Sequence, residues 1–206
     1  MTKPIDSYRK VPKQERSKTT VDAILEATSR ILQTDGARAL TTNAIARLAG
    51  ISIGTLYQYF PDKNAILTTL ARQELALTAK AVSTGLTTKV AETDVKADPV
   101  RAGIRALLNG FKGRQRARKA LIQVLIVNGL ADEITRPVDN VMRDILAAQG
   151  QGASAAMPAM KPVTAYVLTR AVIGTLRAAL MEQSAYLGDP EFEDELVKLV
   201  RGLLAG

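Results

Sequence analysis

Residues 41–67 read TTNAIARLAGISIGTLYQYFPDKNAIL, and the fold is decided by what this stretch can form. Thr41 or Thr42 can cap a short helix whose inner face is Ile45, Leu48 and Ala49. Gly50 permits a tight turn. Ser52 can cap a second short helix, with Leu56 and Phe60 one turn apart on its inner face, and Pro61 stops it. Asp62 can then cap a long helix that runs to about Thr87, with Ile66, Leu67 and Leu70 inward. On the second short helix Ser52, Thr55 and Tyr59 fall on an outer face, flanked by Tyr57 and Gln58, and Gly54 removes a side chain where the backbone must approach something closely.

Upstream, Val21, Ile24, Leu25, Thr28, Ile31 and Leu32 make one stripe of a 3.6-residue helix. The helix is expected to begin near Ser17 to Thr19 and to end at Asp35–Gly36, where Gly36 can take the left-handed C-terminal position. One longer helix followed by two short ones joined through a glycine turn is a helix-turn-helix unit. Such units lay their second helix in the major groove of DNA. Short hydroxyls and tyrosine O–H groups suit phosphate oxygens and base edges. Gly54 at a helix crossing, with the tyrosines over a core, would account for the same residues without DNA.

The run Gly50, Ile51, Ser52, Ile53, Gly54, Thr55, Leu56, Tyr57, Gln58, Tyr59, Phe60, with Lys63 after it, resembles the DNA-binding signature of the TetR family of bacterial transcriptional repressors. The family pattern is G-S-x-G-x-[LI]-Y-x-[HY]-F-x-x-K. The chain departs from it at Ile51, an extra residue in the turn. The resemblance covers about residues 17–70. It implies that Thr42 touches a phosphate, that Ser52, Ile53, Gly54 and Thr55 lie in the major groove, and that Tyr57 and Tyr59 hold the DNA backbone. Lys63 would pair with a phosphate. Gln58 is the candidate for base reading, since an amide pairs bidentately with adenine, although a phosphate contact or plain solvation would also occupy it. Ile53 would pack on a thymine methyl or simply cover the helix.

The full chain has 206 residues and a formal net charge of +8, with no Cys, His or Trp. The missing Cys and His exclude disulfides, catalytic thiols, the commonest general base and a zinc site of the usual ligands. No cofactor, no metal and no enzymatic activity are therefore expected. Residues 1–16 read as a flexible basic arm, which suggests a polyanion partner. No uninterrupted apolar run has membrane-spanning length and the N-terminus has no apolar signal region, so a cytoplasmic protein without a membrane partner is expected.

The expected architecture is all-α with about nine helices: the arm (1–16), a three-helix DNA-binding domain (17–63), and a helical effector-binding and dimerisation domain (64–206). Pro99 opens a fifth helix, residues 114–129 and 132–149 give two more, 149–162 is a loop, and 163–187 is a helix apolar nearly all round. Gly188 closes that helix, and Asp189 caps the last one with Pro190 at its first position. The resemblance implies that the last two helices pair with those of a second copy. Val172, Leu176, Leu180, Phe192, Leu196, Leu199, Val200 and Leu203 are the expected interface. A homodimer would set two reading helices about 34–36 Å apart on a near-palindromic operator.

Family members hold a small-molecule effector between the middle helices. Candidate lining residues here are Leu107, Phe111, Leu125, Asn128, Met142, Tyr166 and Arg170. Asn128 and Arg170 interrupt apolar runs and need partners if buried, though a capped helix end for Asn128 and a surface or interface ion pair for Arg170 explain them more simply. The shortage of aromatic residues favours an apolar effector over a planar cation. The function expected is a dimeric, effector-released repressor. The alternatives are a non-specific polyanion or membrane-surface binder, recognised by salt-sensitive binding without sequence preference, and a small helical enzyme.

Overall fold

The computed structural model describes residues 15–87, 98–112, 114–151 and 158–205. The expected basic arm lies outside them except for its last two residues, which already belong to the first helix. Residues 152–157 of the expected loop also lie outside. Among the described residues the elements are helical throughout: α1 (Glu15–Thr34), α2 (Thr42–Leu48), α3 (Ile53–Tyr59), α4 (Lys63–Thr87), α5 (Pro99–Lys112), α6 (Gln115–Val127), α7 (Arg136–Gly150), α8 (Pro162–Glu182) and α9 (Pro190–Ala205), with 3-10 turns at Ala37–Ala39, Ala131–Ile134 and Ala185–Gly188.

The chain divides into two compact units, Met1–Gln73 with Arg114–Ala131, and Glu74–Gly113 with Asp132–Gly206. This differs from the expected boundary after Lys63. The division falls inside α4, and α6 joins the first unit. Its attachment is specific: the Arg114 guanidinium donates to Ser29 Oγ at 2.8 Å, and Ala117 N–H reaches Gln33 Oε1 at 3.5 Å. Ala117, Leu121, Ile122 and Leu125 are buried, and α6 packs on α1.

In the first unit the α1 stripe is buried as its spacing predicts: Val21, Ile24, Leu25, Thr28, Ile31 and Leu32 all lie inside, and Thr28 Oγ1 donates to the Ile24 carbonyl at 2.7 Å. Gly36 departs from expectation. Its φ of 80° is positive, but its ψ of 175° is extended rather than left-handed helical, a region only glycine occupies comfortably. There it leads into the 3-10 turn before α2. On α2, Ile45 and Ala46 are buried, whereas Leu48 is 44% exposed. The expected inner face Ile45–Leu48–Ala49 is therefore rotated. A helix of seven residues has too few apolar positions to fix its own phase, and packing against α1 and α3 decides it.

In the second unit α5 packs on α9, and α8 packs on α7 and α9. By length and composition α8 is the one helix among the described residues long and apolar enough to cross a membrane; its Leu168, Val172, Ile173, Leu176 and Leu180 are buried within the unit. It ends at Glu182, short of the expected end at residue 187. Gln183 adopts a left-handed φ of 57°, and Ser184 N–H closes the end on the Ala179 carbonyl at 2.9 Å. A non-glycine residue in that conformation stores about 1 kcal/mol. Gln183→Gly is accordingly expected to raise stability by about 0.5–1 kcal/mol, read as a higher urea midpoint with unchanged slope. At the start of α9 Asp189 Oδ1 accepts from Glu191 N–H at 2.9 Å, the expected cap.

An ion-pair network joins α5 to α9. Arg101 Nη1 contacts Glu193 Oε1 at 3.0 Å and Asp194 Oδ1 at 2.7 Å, Arg105 Nη2 contacts Glu193 Oε1 at 2.8 Å, and Arg201 Nη2 contacts Asp98 Oδ2 at 2.7 Å. Hydrogen bonding from Arg105, and then from Arg101, holds the Glu193 carboxyl below its ordinary range against the opposing effect of its burial. Because the folded value lies below the unfolded one, this stabilisation is complete above the unfolded carboxylate range and is lost as pH falls through the folded value. Glu193→Gln should cost about 1 kcal/mol at neutral pH, since both arginines are partly exposed and solvent screens them. It should also flatten the fall of the urea midpoint as the pH is lowered from neutral through the carboxylate range.

Candidate nucleic-acid interface

The helix-turn-helix is built by three side-chain caps and one turn. Thr41 Oγ1 accepts from Ala44 N–H at 3.1 Å and starts α2. Ser52 Oγ accepts from Thr55 N–H at 3.0 Å and starts α3. Asp62 Oδ1 accepts from Ala65 N–H at 2.8 Å and starts α4. Each satisfies an amide that the first helical turn leaves unbonded. Between α2 and α3, Gly50 takes a φ of 69°. Its N–H bonds to the Arg47 carbonyl at 3.3 Å, and Ile51 N–H bonds to the Ala46 carbonyl at 3.0 Å. This closes the end of α2 and redirects the chain within two residues. Leu56 and Phe60 are fully buried, so α3 is fastened along one side and its other side is presented outward.

That outer side carries the expected residues. Ser52, Ile53, Gly54, Tyr57 and Gln58 are exposed, and Thr55 and Tyr59 are half-buried. A Cβ on Gly54 would meet only Ser52 Oγ, at 3.7 Å. Gly54 is therefore not held as glycine by a helix crossing. Its bare backbone keeps the surface of α3 low. Ser52 and Thr55 are tied together, with their hydroxyl oxygens 2.8 Å apart. Thr42 Oγ1 and the Tyr57 hydroxyl lie 3.2 Å apart across the two helices, which brings two hydroxyls from different elements to one point. Lys63 Nζ donates to the Leu40 carbonyl at 3.2 Å. An ammonium has three donors, so this bond anchors the lysine while leaving it donors for a second acceptor. Asn43 and Arg47 are also exposed, one turn apart on α2. Neither is among the expected contacts, to which α2 contributes Thr42 alone.

The expected effector residues separate. Leu107 and Met142 border a cavity of about 50 Å³ inside the second unit. Phe111 is buried but does not line it. Leu125 is core of the first unit. Asn128 closes α6, with Nδ2 donating to the Val124 carbonyl at 2.8 Å, and borders a different groove of about 260 Å³ in the first unit alongside Leu40 and Lys63. Tyr166 is exposed. Arg170 Nη1 pairs with Asp139 Oδ1 at 2.6 Å and its guanidinium stacks 4.4 Å from the Tyr166 ring centre. The hydrogen bond that Arg170 donates to Asp139 raises the Arg170 pKa above its ordinary value. Arg170 is thus one half of a partly buried ion pair and does not line the cavity that Leu107 and Met142 border.

The expected interface residues divide as well. Val172, Leu176, Leu180, Leu196 and Val200 are buried within the chain itself, and Val172 and Val200 line the cavity. Phe192 and Leu203 are half-buried, and Leu199 is 40% exposed. An apolar stripe read from spacing marks the side of a helix that must be covered, and here the same chain covers most of it. The outer side of α8 carries Val163 and Val167, both exposed.

Residues 24–70 match the family model of bacterial regulatory proteins, tetR family. The chain is 35% identical over 95 residues to the HTH-type transcriptional regulator BetI of Pseudomonas paraeruginosa (strain DSM 24068 / PA7), an alignment spanning 46% of this chain and 43% of the relative. The chain thus matches less than half the length of that relative. Among solved structures it is similar to a TetR transcriptional regulator from Rhodococcus sp. RHA1, with a TM-score of 0.61, 20% identity, and coverage of 93% of this chain and 99% of the other. It is also similar to BioQ with its natural double-stranded DNA operator, with a TM-score of 0.53, 19% identity, and coverage of 90% and 98%. At these identities the two structures show a shared fold.

Proposed function

We propose that this chain, which belongs to the tetR family of bacterial regulatory proteins, is a dimeric transcriptional repressor released from a near-palindromic operator by a small-molecule effector. The observation that carries the reading is the exposed side of α3, with the paired hydroxyls of Thr42 and Tyr57 beside it. Two hydroxyls converging from separate helices make a receptor for one phosphate oxygen, since each can turn its proton outward to a shared acceptor. Lys63 supplies a charge to a neighbouring phosphate, and Tyr59 supports the same strand. With the backbone held, Ser52, Ile53, Gly54 and Thr55 enter the major groove, and Gln58 reads a base edge. BioQ, which shares the fold, is described with an operator duplex, and that supports the same use of the head here.

In this reading the second copy docks on the outer side of α8 and α9, where Val163, Val167 and Leu199 are exposed, rather than on the buried stripe. α4 is one unbroken helix from Lys63 to Thr87. It contributes Lys63 to the DNA contact and Val82 and Leu86 to the cavity. Effector binding shifts the population toward a form in which α4 has moved and the two heads no longer match successive grooves. That requires the effector to favour the non-binding form by a few kcal/mol.

The test is a mobility-shift titration on DNA flanking the gene for this chain, competed with scrambled duplex at fixed salt. A preference of about 10³-fold or more for the cognate duplex is expected. Equal affinity for both duplexes would mean a non-specific polyanion binder.

A further inference from the structure

The cavity in the second unit has a uniformly apolar wall. Leu86 of α4, Ile104 and Leu107 of α5, Met142 of α7 and Ile173 of α8 face it. The one hydroxyl-bearing side chain on its wall, Thr169, is already engaged, with Oγ1 donating to the Ala165 carbonyl at 3.0 Å. None of its lining residues carries a charge or an aromatic ring. Charged groups of the same helices are paired with one another elsewhere: Arg101 and Arg105 with Glu193, Arg201 with Asp98, and Arg170 with Asp139. A carboxylate or ammonium entering this space would lose its hydration and gain no partner. A quaternary cation would find no ring face to rest on.

Size and one glycine narrow the ligand further. The cavity, about 50 Å³, is roughly a third of the 150 Å³ engineered cavity that admits benzene. A Cβ on Gly103 would fall 2.6 Å from Leu86 Cδ2. Leu86 therefore rests over Gly103 and at the same time forms part of the cavity wall. Even a short alkyl chain has to displace that side chain, and Leu86 sits on the helix that also bears Lys63.

We propose that this cavity takes an uncharged saturated hydrocarbon segment, a short alkane or the alkyl tail of an amphiphile, and that Leu86 over Gly103 is the side chain that yields to it. The proposal rests on the reading above that the cavity is the effector site, and its test uses no DNA. The full chain is melted in buffer saturated with n-hexane, with sodium hexanoate, or with tetramethylammonium chloride, and the Leu86 methyl resonances are followed by NMR. Hexane is expected to raise Tm by about 5 °C and to shift the Leu86 methyls. Hexanoate acting likewise assigns the tail of an amphiphile with its head in water; hexane acting alone assigns a wholly buried hydrocarbon.

Gly103→Ala drives Leu86 into the cavity, and Val138→Ile adds a methyl from α7. Each should abolish the hexane response, and the second variant serves if the first does not fold. No response to hexane in the unaltered chain, an equal response to tetramethylammonium, or a hexane response that survives in a folded variant would overturn the proposal. A chain that binds no operator yet responds to hexane would refute the repressor reading alone. One released from operator by a charged compound, with no hexane response, would refute the hydrocarbon assignment alone.

Discussion

Replacing Phe60 with alanine is expected to abolish DNA binding by unfolding the reading head, although Phe60 touches no DNA in this account. The ring is fully buried at the end of α3, and Leu56, one turn earlier, is equally buried. Those two side chains are the long apolar anchors of a helix of seven residues, which cannot persist on its own propensity. Removing a buried phenyl ring costs about 3–5 kcal/mol, combining lost transfer energy with the cavity left behind. This is a large part of the stability of an ordinary domain. Thermal melting and amide exchange over residues 41–63 should both register the loss. If Phe60→Ala melts as the parent chain does and still binds the operator, α3 is not held in the manner described.

The second large effect is on affinity without folding. Tyr57→Phe keeps the ring and removes the hydroxyl that faces Thr42. Lys63→Met keeps the stem and removes the charge. Each lost hydrogen bond to a charged phosphate is worth about 1.5–3 kcal/mol, so the double variant should bind the operator at least about 100-fold more weakly. The dependence of log K on log salt should also become shallower by about 0.9, the contribution of one cationic phosphate contact. Stability should fall only by about 1–2 kcal/mol, for the bond from Lys63 Nζ to the Leu40 carbonyl and the bond between Tyr57 and Thr42. A double variant with unchanged affinity and salt slope would remove Tyr57 and Lys63 from the DNA contact. The contrast with Phe60→Ala separates the residues that hold the head together from those through which it binds.

Much of the head is legible in the sequence because each of its devices is local. Thr41, Ser52 and Asp62 cap their helices through bonds spanning three residues, and Gly50 turns the chain where only a positive φ will serve. Such features are written within a few positions of one another. What cannot be read depends on distant partners. The attachment of α6 to the first unit rests on Arg114 finding Ser29 and on Ala117 finding Gln33, and no spacing rule links positions so far apart. Leu48 exchanges roles with Ala46 because a short helix takes its phase from its neighbours.

α8 shows the same limit from the other direction. Its apolar residues run nearly all round, so periodicity cannot tell the side covered by the chain itself from the side left outward. The resemblance assigns Val172, Leu176 and Leu180 to an interface with a second copy, whereas the chain itself buries them. The cavity escapes sequence reading for the same reason, since its wall is assembled from residues scattered over α4, α5, α7, α8 and α9. Gln183, left-handed without being glycine, gives no warning in sequence at all.

The most direct test of the central claim, that two copies of the α2–α3 head read duplex DNA side by side, is a hydroxyl-radical footprint. It would be taken on the tightest-binding duplex recovered by selection from random sequence. Two protected half-sites of inverted sequence are predicted, their centres one helical turn or a little more apart. A single protected site, or even protection without sequence symmetry, would contradict the account.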